Sequence, residues 1–336
     1  MRKIFYTLFL SFPFFLSSCE KAFMEESSVD KTPQKNFEYL WNECDKKYAF
    51  MSYKHIDWTS VKAKYAAQVS NSMSNDQLFT VLAQMLNELR DGHVNLISSF
   101  NISHFDVSLL GPKGIDERVV KEHYLSSNYY TTGPFMHDFV KDHAAIGYIR
   151  LKAFTGTVTD NQMNFMLDRY KDTKGIILDL RANGGGAASD IFKILSHFVS
   201  TKTLLYHTSI KSGAGLDDFT TAEDCFIEPS KGTLYLKKVI VLTDRGTYSA
   251  GSFTSTATKA IDSMVLLGDT TGGGMGMPNG GQLPNGWTYR FSITRTLDIN
   301  GNNWEDGVPP EIPVQFSTSQ AVNGIDNIME RAILEF

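Results

Sequence analysis

Cysteine is scarce: three occur in 336 residues, Cys19, Cys44 and Cys225. A disulfide framework is therefore not what holds the chain together, although Cys44 and Cys225 are free to form one bridge in an oxidising compartment. No Lys/Arg block occurs, and the formal net charge of −5 is spread along the chain. The electrostatic footprint of a nucleic-acid binder is missing, and no nucleic-acid partner is implied. The eight histidines are scattered, with no pair at zinc-ligand spacing beside a carboxylate motif, so neither a metal nor another cofactor is implied. The apolar run over residues 4–16 is interrupted by Pro13 and is too short for an easy membrane span.

What is present begins with a secretion-type start: Arg2 and Lys3, that apolar run, then the small residues Ser17 and Ser18. Leu16-Ser17-Ser18-Cys19 resembles the lipobox of bacterial lipoproteins. The resemblance implies acylation of Cys19 and a membrane partner through an N-terminal lipid anchor, in the periplasm or at the outer-membrane surface of the cell envelope. A plain cleaved signal with an incidental cysteine is the alternative. Residues 20–34 are polar, include Pro33 and show no apolar period, which reads as a tether.

Hydrophobic composition of 42% with 21% charged residues is that of a globular chain, long enough for one large domain or two of modest size. Residues 35–98 read as a small helical subdomain. Phe37, Leu40, Trp41, Cys44 and Tyr48 recur at helical spacing, and Asp57 can cap a second helix through Trp58, Val61 and Tyr65. In a third helix Ser74 and Gln77 have capping-box spacing, and Leu78, Val81, Leu82, Met85, Leu86 and Leu89 share one face. Asp91-Gly92 marks its stop, and a strand is predicted over 94–97. Residues 99–143 read as a connecting segment with short strands, one at 107–109. That segment is too short for an independent peptide-binding module, and no PDZ domain is evident.

From residue 144 to 336 the pattern is α/β. Strands are predicted at 145–151, 175–180, 239–243 and 264–267, and helices at 160–170 and through Ile191, Leu195 and Phe198, around a partly parallel sheet.

Two loops in this region can carry chemistry. Ser249 follows the predicted strand 239–243 and the turn Asp244-Arg245-Gly246-Thr247-Tyr248, and it precedes a run of small, helix-compatible residues. A strand's carboxyl end meets a helix amino end there, so backbone N–H groups and the helix dipole favour developing negative charge. A lone serine at such a junction serves equally as an N-cap. Asn183-Gly184-Gly185-Gly186 lies at the end of another buried strand, where glycines let backbone N–H groups approach a substrate. No Gly-Lys-Ser/Thr follows, which disfavours a phosphate loop.

Taken in order, Leu89-Arg90-Asp91-Gly92-His93, the stretch Asp179-Leu180-Arg181-Ala182-Asn183-Gly184-Gly185-Gly186, Thr247-Tyr248-Ser249-Ala250-Gly251, Gly268-Asp269-Thr270-Thr271-Gly272-Gly273 and Gly307-Val308-Pro309-Pro310-Glu311-Ile312 resemble the motifs of the S41 serine peptidases, the tricorn and C-terminal-processing group. The resemblance implies a crotonase-like α/β peptidase core, a peptide or protein substrate, Ser249 as nucleophile, and Ala250 N–H with a Gly184 or Gly185 N–H as oxyanion donors. One branch of this group uses a lysine base downstream of the serine. Here that region reads Gly272-Gly273-Gly274-Met275, and Lys259 lies about 15 Å along the same predicted helix. The tricorn-like branch uses histidine, and the match puts that role on His93. Glu305 resembles the group's supporting acid, with Asp306 an adjacent competitor.

Two positions depart from the group's pattern. Ser252 stands where the lysine branch has Glu, and Gly92 where tricorn has a relay serine. The glycine-rich stretch 272–281 is expected to border the cleft. No histidine follows His207, so the Ser, acid, His order of an α/β-hydrolase esterase is impossible with Ser249. A non-catalytic protein binding peptides or another ligand in the same cleft is the second reading.

Overall fold

The computed structural model describes residues 30–105 and 114–336. The lipobox with Cys19, most of the expected tether and the expected strand at 107–109 lie outside the described residues. The first helix, α1 (Pro33–Lys47), begins within the segment read as tether, because Pro33 suits the first helical turn and the Thr32 side chain accepts from Lys35 N–H. Helices α2 (Trp58–Ala66) and α3 (Asn75–Asn87) follow, the latter with the reciprocal Ser74/Gln77 capping box in place.

These helices do not build a core by themselves. Leu40, Cys44, Leu82, Met85 and Leu86 pack with Leu283, Trp287, Tyr289 and Phe291 from far along the chain. The latter belong to or flank an antiparallel hairpin, β10 (Pro278–Gln282) and β11 (Thr288–Ser292), which pairs with β1 (Asn95–Ile97) in a three-stranded sheet. The helical unit expected over 35–98 is thus completed by residues beyond 278.

The main sheet has seven strands. β13 (Ile312–Pro313), β9 (Met264–Gly268), β8 (Lys238–Thr243), β5 (Gly175–Asp179) and β4 (His143–Leu151) run parallel, and β3 (Phe135–Val140) and β2 (Tyr130–Thr132) extend it antiparallel. Its central strands are near-continuous apolar runs because both faces are covered. Ile176, Leu178, Val239 and Val241 face α5 (Asp160–Tyr170), α6 (Ala188–Leu195) and α7 (Ala250–Thr258). Ile177, Ile240 and Leu242 face Val119, Val120, Ile328 and Met329. Those partners come from the short α4 (Glu117–Val119), its π-helical continuation through Tyr124, and α9 (Asn327–Ile333), with α8 (Thr318–Val322) before it. Burying each large aliphatic side chain contributes about 1.5–3 kcal/mol. A further antiparallel sheet, β12 (Thr294–Asp298), β6 (Thr203–Ile210) and β7 (Glu223–Ile227), packs beside α7.

The loop after β5 is tied down by a buried ion cluster. The Arg181 guanidinium holds Asp179 through Nε and Nη2 at 3.0 and 2.7 Å and reaches Asp326, the N-cap of α9, at 2.8 Å. Arg150 lies 3.3 Å from the same Asp179 carboxylate. The two cysteines within the described residues, Cys44 and Cys225, are both free thiols.

Candidate active site

Ser249 caps α7 by position alone. Its backbone stands at φ 53° and ψ −120°, and its hydroxyl makes no capping hydrogen bond. A non-glycine residue in this region is strained and persists because its surroundings hold it. Here Tyr248 N–H donates to Asn183 O, Ser249 N–H to Gly273 O, and Gly272 N–H to Thr247 O, so loops on both sides fix the turn. The freed hydroxyl meets His93: Ser249 Oγ and His93 Nε2 are 2.9 Å apart. His93 arrives from the loop between α3 and β1, so the two packing units each supply one member of the pair.

For Nε2 to accept the serine proton, the imidazole proton must sit on Nδ1. That nitrogen is buried without a hydrogen-bond partner among the described residues, and the carboxylate nearest to it is Asp91, whose Oδ1 lies 3.9 Å away. The same oxygen accepts His93 N–H at 2.8 Å, while Oδ2 takes the hydroxyls of Tyr48 and Ser292 at 3.1 and 2.8 Å. Burial lowers the His93 pKa below its ordinary value, and the charges of Arg290 and Lys54 lower it further against the opposing pull of Asp91. A neutral imidazole at working pH is the form a base requires.

Glu305, expected to orient His93, is used differently. Its Oε1 pairs with the buried Lys54 ammonium at 3.2 Å and its Oε2 accepts Met275 N–H at 2.7 Å. Burial and the nearby Asp91 charge push its pKa up to about 8, against the counter-pull of Lys54 and the Met275 N–H. Sequence reading saw Asp91 only as a helix stop, although it stands two residues from His93 in the quoted motif. Lys54 carried no signal in the sequence.

The glycine loop lies against the serine turn. A side chain at Gly185, where φ is +98°, would begin 2.7 Å from Ser249 Cβ and 2.9 Å from Ala250 N. Gly185 N–H, expected as one oxyanion donor, is instead spent on Asn183 Oδ1 at 2.9 Å, because the buried Asn183 side chain folds back over its own loop. Gly184 faces open space in the cleft. Among the described residues neither Gly184 N–H nor Ala250 N–H has a hydrogen-bond partner, and both border Ser249. Two such donors beside a nucleophile can receive the oxygen of a carbonyl under attack.

The cleft in front of Ser249 has a volume of about 650 Å³. Ile191, Phe192, Tyr206 and Phe253 form one wall, and Gly92, His93 and Arg290 line it as well. Met277 and Pro278, from the stretch 272–281, also border it. Lys259, expected to lie out of reach of Ser249, pairs with Glu311. Ser252 Oγ lies within hydrogen-bond distance of both Thr247 O and Thr271 Oγ1, at 3.1 and 2.9 Å, and so braces the turn.

Comparison with known proteins finds relatives over most of the chain. Peptidase family S41 matches residues 145–314, and the tricorn protease C1 domain matches residues 30–87. A solved structure assigned as a peptidase from Parabacteroides merdae is 35% identical, with a TM-score of 0.84 over 90% of this chain and 96% of that one. The carboxy-terminal processing protease CtpB of Bacillus subtilis is 25% identical over 179 residues, which is 52% of this chain and 35% of the relative. The chain thus spans about a third of the length of the curated relatives it matches. Mature CPAF, 11% identical with a TM-score of 0.64 over 91% of this chain and 98% of that one, shares the fold. By motif order, fold and the extent of these matches, the chain belongs to peptidase family S41.

Proposed function

We propose that the protein is a serine peptidase that hydrolyses peptide bonds through an acyl-enzyme, with Ser249 as nucleophile and His93 as general base. The observation that carries this reading is the 2.9 Å contact between Ser249 Oγ and His93 Nε2, on a strained turn whose hydroxyl does no capping. Ser249 Oγ attacks the substrate carbonyl carbon while its proton passes to His93 Nε2. The carbonyl oxygen, now negative, is held by Ala250 and Gly184 N–H. The C–N bond then breaks, and His93 returns the proton to the leaving amine. Water attacks the Ser249 ester, giving its proton to His93, and the acid product leaves as Oγ is reprotonated. Asp91 stabilises the imidazolium that forms in each half-reaction.

Treatment with a fluorophosphonate, read by mass spectrometry, tests the reading. Labelling is expected on Ser249 of the wild type and lost in Ser249→Ala and His93→Ala. An unlabelled, folded wild type points to the ligand-binding reading instead.

We extend the proposal to the protein's address: acylation at Cys19 tethers the core to the cell envelope. The lipobox-like Leu16-Ser17-Ser18-Cys19 supports it, and among the described residues no helix is long and apolar enough to cross a membrane. Incorporation of labelled palmitate that disappears in Cys19→Ala is the expected result, and an unlabelled wild type overturns it.

A further inference from the structure

We propose, resting on the peptidase reading above, that Arg290 is a specificity residue that binds a carboxylate on the leaving-group side of the scissile bond. Arg290 lies on β11 directly opposite Asn95 of β1, two residues beyond His93. Its Nε donates to Asn95 Oδ1 at 2.6 Å, and the buried Asn95 is in turn anchored by its Nδ2 to Ser103 O at 2.7 Å. The guanidinium is therefore held in place by one donor, and both Nη groups are without a carboxylate at ion-pair distance among the described residues. No Asp, Glu or Lys lines the cleft with it. A chain of net charge −5 thus places an exposed, oriented cation with no carboxylate partner on the cleft that holds its nucleophile, where solvent and salt screen it only in part.

The side of the cleft follows from the chemistry. His93 must hand its proton to the departing amine, so the leaving segment passes along the His93 wall, the wall that continues through Asn95 to Arg290. The apolar wall of Ile191, Phe192, Tyr206 and Phe253 belongs to other elements, α6, β6 and α7, and receives the acyl side. A planar guanidinium with both Nη groups available suits a bidentate carboxylate. Such a carboxylate is supplied either by an Asp or Glu side chain just beyond the cut or by the free α-carboxylate of a chain that ends there.

The test uses sets of peptides built on one cleaved sequence. One has an amidated C terminus and no acid beyond the cut, one a free C terminus shortly after the cut, and one Asp or Glu in place of Asn or Gln there. The readout is the ratio of kcat/KM for acidic over neutral peptides, and the corresponding ratio of Kd measured on Ser249→Ala protein. The expected wild-type preference is about tenfold or more, falling with added salt, collapsing toward unity in Arg290→Gln and partly kept in Arg290→Lys. Whether the free terminus or the side chain gives the preference identifies the source of the carboxylate. Equal use and equal binding of neutral and acidic peptides by the wild type, or a preference that survives in Arg290→Gln, overturns the proposal. Absent fluorophosphonate labelling refutes the peptidase reading instead, so the two failures are distinct.

Discussion

Asp91 Oδ1 faces His93 Nδ1 across 3.9 Å, too far for a hydrogen bond, while holding the same residue's backbone N–H at 2.8 Å. The carboxylate is fixed by Tyr48 and Ser292 on its other oxygen, so closing the gap falls to the imidazole. Asp91→Asn keeps the shape and removes the charge. It is expected to lower kcat by roughly 10²-fold or more and to move the acid limb of kcat/KM to lower pH, because the Asp91 charge raises the His93 pKa. Glu305 is not among the charges that act on His93, so Glu305→Gln should leave that limb in place. A limb that moves in Glu305→Gln and stays in Asp91→Asn would reverse the assignment.

Stability should carry two opposite pH signatures from this site. His93, depressed below 6.5 in the fold, binds fewer protons than in the unfolded chain, so its contribution is present above 6.5 and lost as pH falls through the folded value. Glu305, raised from 4.5 to about 8, binds more protons in the fold, and its contribution is present below 4.5 and lost as pH rises through about 8. Urea midpoints measured from pH 5 to 8 should therefore fall more steeply in wild type than in Glu305→Gln. Parallel curves would remove Glu305 from the account.

Gly185→Ala should disable the serine turn. The added methyl would start 2.7 Å from Ser249 Cβ and 2.8 Å from Tyr248 O, at a φ of +98° that alanine resists. The loop must retreat from Ser249 and take the Gly184 N–H with it. Activity is expected to drop by about 10²-fold or more, the loss seen on removing one oxyanion donor. Near-wild-type turnover would show that Gly184 N–H is not a donor.

Arg181→Met tests the ion cluster beneath the glycine loop. It leaves Asp179 and Asp326, both almost fully buried, with their main cation gone. Breaking one side of such a cluster typically costs about 3–5 kcal/mol, measurable as a lower urea midpoint. Unchanged stability would mean that Arg150 alone satisfies Asp179.

The parallel strands were legible because their apolar runs reflect burial on two faces, a property local sequence records. The helix at Asp160–Tyr170 likewise has the predicted bounds, set by the Thr159/Gln162 capping box. The β10–β11 hairpin was not legible. Pro278-Asn279-Gly280-Gly281-Gln282 has the composition of a loop and becomes a strand only by pairing with β11. In the site, motif order singled out Ser249 and His93, which the fold brings together. Which carboxylate would stand nearest the imidazole depended on how a turn folds, and Glu305 proved to be spoken for by Lys54. The same limit applies to Gly185, whose N–H is claimed by a side chain two residues earlier.

The division of the dyad between two packing units also sets when it can come into being. His93 is synthesised early, but β1 is held against β11, whose last residue is Ser292. A growing or still-extended chain therefore carries its serine and histidine apart, and the dyad can be held together only once the chain has been made through Ser292 and β11 has paired with β1.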